Sequence, residues 1–126
     1  MKTKANLALD KKDEEIIRLF SEIGMPKNLS KALMYISQVD ECRSTDVERG
    51  TNLRQPEVSL VMQELRRRGW VKKRDLKGKG KGRPVHIYTS TVELSEVIKT
   101  IEQKKLKELE DTKNDIAELK NILLNR

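Results

Sequence analysis

The chain has 126 residues, 27 Lys or Arg against 20 Asp or Glu, and a formal net charge of +7. That length suits one small domain with an appendage, and 3% aromatic residues leave a small aliphatic core that fits helices better than an all-β fold. A single cysteine, Cys42, excludes an internal disulfide; no apolar run is long enough for a bilayer, and the basic start lacks the apolar stretch of a signal peptide, so a cytoplasmic setting is expected.

Residues 1–12 are polar and lysine-rich and read as a flexible N-terminal tail. Ile16, Ile17, Leu19, Phe20 and Ile23 then give a helix from Asp13 to Ile23 with a broad apolar face. Asp13, Glu14 and Glu15 sit in its first turn, where negative charge is favourable, and Gly24 and Pro26 end it. Asn28 is the expected N-cap of a second helix that directs Leu29, Ala32, Leu33, Tyr35 and Ile36 inward. These two helices carry no chemistry and read as scaffold or dimer support. A short third helix is expected over residues 44–50, capped by Ser44 or Thr45, with Thr45 and Glu48 at capping-box spacing. Val47 is its inward anchor, Gly50–Leu53 the turn that follows, and Leu53 the residue packed between this helix and the next.

The stretch Leu53–Tyr88 organises the chain. Pro56 suits a first helical turn, and Val58, Val61, Met62 and Leu65 follow the i, i+3, i+4, i+7 spacing of a buried face. Gly69 is placed to end that helix with φ > 0. The opposite face carries Gln55, Ser59, Gln63, Arg66 and Arg67, side chains long and polar enough to reach base edges and phosphates; an ordinary solvated face is the alternative. Two short strands follow, Trp70–Arg74 and Val85–Thr89. The segment between them is too rich in glycine to stay helical and too charged to bury.

Charge is distributed unevenly. Residues 66–83 hold ten Lys or Arg and one Asp, a net +9, whereas the segments before and after each sum to −1. A block of this kind repels itself without an anionic partner, and a nucleic-acid duplex is the obvious one.

From residue 92 to about 124 the helical pattern runs without Gly or Pro, with Ser90 and Glu93 expected to form its capping box. Leu94, Ile98, Ile101, Leu109, Ile116, Leu119 and Leu123 recur along one side. A helix of about 50 Å cannot cover that stripe on its own small domain, so pairing with a second copy is expected. Lys105 and Thr112 fall on or near the seam; a single helix frayed at its end is the alternative.

Gly24–Ile36, Ser44–Glu48, Leu53–Ser59, Arg68–Val71 and Gly80–Tyr88 follow one another in a familiar order. Over residues 13–91 the chain resembles archaeal winged helix-turn-helix transcriptional regulators of the TrmB, ArsR and MarR kind. The Gln-Pro-x-Val-Ser segment at Gln55–Ser59 and the Gly-Arg-Pro segment at Gly82–Pro84 carry the likeness together. The resemblance implies a mainly α (α+β) fold: a winged helix-turn-helix domain over residues 13–91, with a two-stranded β-wing, and a long C-terminal dimerisation helix over residues 92–126. It implies a dimeric DNA-binding regulator of transcription with one recognition helix per subunit in the major groove. Arg54, Gln55, Pro56 and Ser59 match the start of that helix, and Arg83 the wing-tip arginine. Leu60 departs from the polar residue often found after the serine; it is either a thymine-methyl contact or an incidental surface leucine.

The site set expected is therefore Gln55, Ser59 and Gln63 for base reading. Arg54, Pro56, Arg66, Arg67, Lys77, Lys79, Lys81 and Arg83 are expected at the backbone or minor groove, and double-stranded DNA and a second copy of the chain are the expected partners. No cofactor, metal, membrane or small-molecule ligand is expected. His86 is the lone histidine, Cys42 lacks the basic surroundings that activate thiolates, Trp70 reads as core, and Lys79–Gly82 lacks the order of a phosphate-binding P-loop. With no nucleophile–base set or paired carboxylates, an enzyme is not expected. An architectural DNA-coating protein and a protein-interaction module acting through the long helix are the competing readings.

Overall fold

The computed structural model describes residues 8–76 and 85–126. The element order is α1 (Lys11–Glu22), α2 (Lys27–Ser37), α3 (Ser44–Thr51), α4 (Gln55–Arg67), β1 (Val71–Leu76), β2 (Val85–Ser90) and α5 (Leu94–Leu124). The chain divides into one unit that ends at Val92 and a second from Glu93 to Arg126.

In the first unit α2 is the centre. It packs against α1, α3, α4 and β2, and Leu29, Ala32, Leu33, Met34, Tyr35 and Ile36 are all buried. This is broader than an amphipathic stripe, as a helix enclosed on several sides requires. Ser30 is also fully buried; its hydroxyl donates to the Pro26 carbonyl at 3.0 Å, so the polar group is satisfied inside the helix.

Three helices start by one device. An acid at the third helical position accepts from the backbone N–H of the capping residue: Asp13 from Asp10 at 2.9 Å, Asp46 from Arg43 at 2.9 Å, and Glu57 from Arg54 at 3.0 Å. The expected boundaries shift accordingly. α1 opens two residues early because Asp10 returns the bond to the Asp13 N–H. α3 is capped at Arg43, not at Ser44 or Thr45, and Asp46 takes the part expected of Glu48. α2 opens after Pro26, so Asn28 is not a cap; its amide donates to Glu57 at 3.1 Å and joins the starts of α2 and α4. The expected box between Ser90 and Glu93 does not form, because the Ser90 hydroxyl donates to the Val92 carbonyl at 2.8 Å.

α1 and α4 end alike. Gly24 (φ 99°) and Gly69 (φ 77°) take the left-handed conformation that glycine adopts without steric cost. At the end of α4 the Gly69 N–H bonds to the Arg66 carbonyl and the Trp70 N–H to the Leu65 carbonyl, both at 3.0 Å, and the chain turns sharply into β1. Gly50 belongs to α3, not to the turn: the turning residue is Asn52 (φ 59°). Glycine is required at position 50 because a Cβ there would overlap the Tyr35 ring.

β1 and β2 pair antiparallel from Val71↔Ser90 to Leu76↔Val85. Cys42 adds a one-residue bridge on the other side of β2, its N–H and C=O both bonded to Tyr88 at 3.0 and 2.8 Å. That contact anchors the hairpin to the segment between α2 and α3. Only Ile17 and Phe20 of the expected apolar face of α1 are buried; Ile16, Leu19 and Ile23 are exposed.

The second unit is α5, 31 residues long and so about 46 Å at 1.5 Å per residue. Ile98, Leu109, Ile116, Leu119 and Leu123 of the expected stripe are exposed, as are Leu106, Ile122 and Leu124; Leu94 and Ile101 are half-buried. Among the described residues no helix is long and apolar enough to cross a membrane.

Candidate nucleic-acid interface

α3, the turn at Asn52, and α4 form a helix-turn-helix, with the hairpin β1–β2 directly after it. α4 is held from beneath by Val58, Val61, Met62 and Leu65, all buried, the four residues expected from spacing. Its N-terminus is fixed twice, by the Glu57 carboxylate on the Arg54 N–H and by the Asn28 amide on Glu57. These two bonds hold the Glu57 carboxyl below the usual carboxylate range, the backbone bond being the larger cause. An acid on a face expected to meet phosphate therefore has a structural partner.

The outer face of α4 presents Gln55, Ser59 and Gln63, one turn apart and all exposed. Their side chains make no hydrogen bond among the described residues, so donors and acceptors are free along the face. Leu60 lies beside them, 67% exposed. Arg54 and Pro56 are exposed at the start of the helix and Arg66 and Arg67 at its end, where cations also suit the helix dipole. Lys77, Lys79, Lys81 and Arg83 lie outside the described residues.

The arginines are not equivalent. Arg67 donates from Nε and Nη2 to the two oxygens of Glu64, at 2.8 and 2.6 Å. Arg68 donates to the same carboxylate at 2.7 Å, with its guanidinium 5.1 Å from the centre of the Trp70 ring. Trp70 is thus a half-buried platform for Arg68, not the core residue expected. Arg74 of β1 bonds Glu41 at 2.8 Å. Arg66, Lys72 and Lys73 make no ion pair among the described residues. The net charge of the segment does not show that two acids outside the basic block, Glu64 and Glu41, engage three of its arginines. The i−3 and i−4 spacing of Glu64 from Arg67 and Arg68 is a signal the sequence does contain.

His86 is exposed and faces Asp75, its partner in the strand register, with Nδ1 2.6 Å from the carboxylate. The Cys42 thiol is 2% exposed. Burial, then the neighbouring Asp46 and Glu41, push it up to about 12, the opposite of an activated thiolate. Among the described residues no cluster of three or more His, Cys, Asp or Glu is placed to hold a metal. A groove of about 570 Å³ beside α1 is lined by Glu14, Glu22, Arg18, Lys27 and Lys31 among others; its mixed charge selects no ligand class.

A helix-turn-helix followed by a β-hairpin defines a winged helix, and the comparisons with solved structures agree. TrmBL2, an archaeal chromatin protein, matches with a TM-score of 0.68 at 14% identity, over 90% of this chain and 42% of that one. A MarR family transcription regulator matches with a TM-score of 0.52 at 18% identity, over 77% of this chain and 62% of that one. NadR, solved in complex with 4-hydroxyphenylacetate, matches with a TM-score of 0.51 at 14% identity, over 99% of this chain and 96% of that one. The chain thus spans less than two thirds of the length of the first two. No family model and no curated protein matches. At these identities the likeness is one of fold: the chain is a winged helix-turn-helix protein, mainly helical, with a two-stranded wing and a long C-terminal helix.

Proposed function

We propose that this chain is a sequence-specific DNA-binding regulator of transcription that acts as a homodimer. The observation that carries the reading is the outer face of α4. Three amide and hydroxyl side chains, Gln55, Ser59 and Gln63, are exposed and have no hydrogen-bond partner among the described residues, on a helix whose start is fixed by Glu57 and Asn28. Glutamine reads adenine bidentately in the major groove and serine bonds several base edges. Arg54, Arg66 and the basic residues Lys77, Lys79, Lys81 and Arg83 supply backbone or minor-groove contacts, and Pro56 sets the approach of the helix. The reading involves no enzymatic activity.

The dimer rests on α5. Its apolar residues Leu94, Ile98, Ile101, Leu109, Ile116, Leu119 and Leu123 fall on three- and four-residue steps once Lys105 and Thr112 are counted on the seam, with two successive four-residue steps across Lys105. Such a stutter locally unwinds a supercoil without ending the seam. Exposed leucine and isoleucine over about 46 Å of helix call for a partner helix, and a second copy carries the matching stripe.

The second reading is architectural binding with low sequence preference. It is favoured by the basic block at residues 66–83 and by TrmBL2, itself a chromatin protein whose DNA binding has been described. Selection from random duplexes separates the two. A regulator enriches one motif, and Gln55→Ala loses discrimination within that motif while keeping non-specific binding. Enrichment of no motif by the unmutated chain, or equal loss by Gln55→Ala on motif and random DNA, overturns the base-reading role.

A further inference from the structure

Glu64 is the one acid on the solvent side of α4 beyond its capping turn, and it engages two arginines at once. Its two oxygens take the Arg67 fork at 2.8 and 2.6 Å, and one of them also takes Arg68 at 2.7 Å. A planar guanidinium bound bidentately by two oxygens is also the arrangement in which arginine grips a phosphate. We propose that Glu64 is an internal phosphate mimic: it occupies Arg67 and Arg68 in the free protein and lowers the affinity for DNA of any sequence. The proposal rests on the DNA-binding reading above.

The geometry separates this from an ordinary surface pair. Arg67 is 70% exposed, so its fork would otherwise be free to leave the helix surface. Arg68 is restrained a second time by Trp70, 5.1 Å from its guanidinium. The bonds to the two arginines lower the Glu64 carboxyl to about 2, so it is charged at neutral pH. Arg66, which has no ion pair among the described residues, is left as the ready phosphate contact at this end of α4. The consequence is selectivity. Phosphate contacts raise affinity for all DNA alike. Holding two of them back lowers that common baseline and leaves discrimination to Gln55, Ser59 and Gln63.

The test is a mutant cycle read by fluorescence anisotropy on a random-sequence duplex over a salt series. Glu64→Gln keeps the shape and removes the charge; Glu64→Ala is its duplicate, and thermal melts check that both fold. Each is expected to bind random DNA about three- to tenfold more tightly at 0.1 M salt, with a log–log salt slope steeper by about 0.9 for each phosphate gained. In an Arg67→Ala/Arg68→Ala background the same change is expected to gain less than about twofold, since no fork remains to release. A gain of equal size in both backgrounds means that Glu64 acts only through its charge and overturns the proposal, as does no gain in the otherwise unmutated chain. Failure of the unmutated chain to bind any DNA at low salt overturns the DNA-binding reading itself, an outcome distinct from binding that is indifferent to Glu64.

Discussion

Replacing Gly50 with alanine sets two rules against each other. In a helix interior the change normally stabilises by about 1 kcal/mol, because glycine loses more backbone freedom on folding. Here the new methyl would fall on the Tyr35 ring, overlapping Cδ2 and Cε2 and lying 3.1 Å from Cζ. The ring has no room to swing, being fully enclosed with 0% exposure, so either α3 or α2 must shift. Overpacking of this kind costs about 1–3 kcal/mol, and an overlap with a rigid ring belongs at the upper end. The expected balance is a net loss of about 1–2 kcal/mol. For a domain of this size that lowers Tm by about 4–8 °C per kcal/mol. Urea unfolding with matched m-values gives the sign directly. In a Tyr35→Leu background, where the ring is gone, the penalty should shrink or reverse. A Gly50→Ala chain as stable as the parent, or more so, refutes the packing argument.

Three further outcomes are expected. Gly69→Ala meets no neighbouring atom within 4 Å but must hold φ 77°; it should cost about 1–2 kcal/mol in urea unfolding, and no change would mean the turn relaxes freely. The stability contributed by the buried Cys42 and Tyr35 should be complete below about pH 9 and fall between pH 9 and 12. The unfolded chain releases the Cys42 and Tyr35 protons near 9 and 10, whereas burial holds both near about 12 in the fold. Cys42→Ala should therefore delay the onset of alkaline unfolding followed by circular dichroism, and an unchanged onset would remove the thiol from the account. Leu109→Glu with Ile116→Glu places charge on the exposed stripe of α5; sedimentation equilibrium should show a dimer turned to monomer, and a parent chain that is already monomeric contradicts the pairing.

What could be read in the sequence follows from which interactions leave a period. α4 was legible to the residue on its buried side because Val58, Val61, Met62 and Leu65 repeat with the helix, and Pro56 and Gly69 punctuate its ends. β1 and β2 were legible from their apolar content and the glycine-rich segment between them. The helix starts were not, because capping here comes from an acid three residues inside the helix, and Ser44, Thr45, Asn28 and Ser90 offered more familiar caps that the backbone does not use. The Cys42–Tyr88 bridge joins single residues far apart in the chain and has no local signature. Ile16, Leu19 and Ile23 of the expected apolar face are exposed: an apolar side chain does not declare whether its partner lies in the same fold. On the candidate interface the side-chain types were legible. The engagement of Arg67 and Arg68 by Glu64 does not show in the charge of residues 66–83, because Glu64 lies two residues before that block.

The most direct test of the central claim is a salt series of anisotropy titrations on two duplexes, the DNA upstream of the gene for this chain and the same bases shuffled. The account predicts binding to the first that is tighter by about a thousandfold or more, with a steep log–log salt slope on both. Equal affinity for this duplex, for its shuffled counterpart and for every motif recovered by selection would contradict sequence-specific regulation and support a DNA-coating role. No binding to either duplex at low salt would contradict the DNA-binding account as a whole.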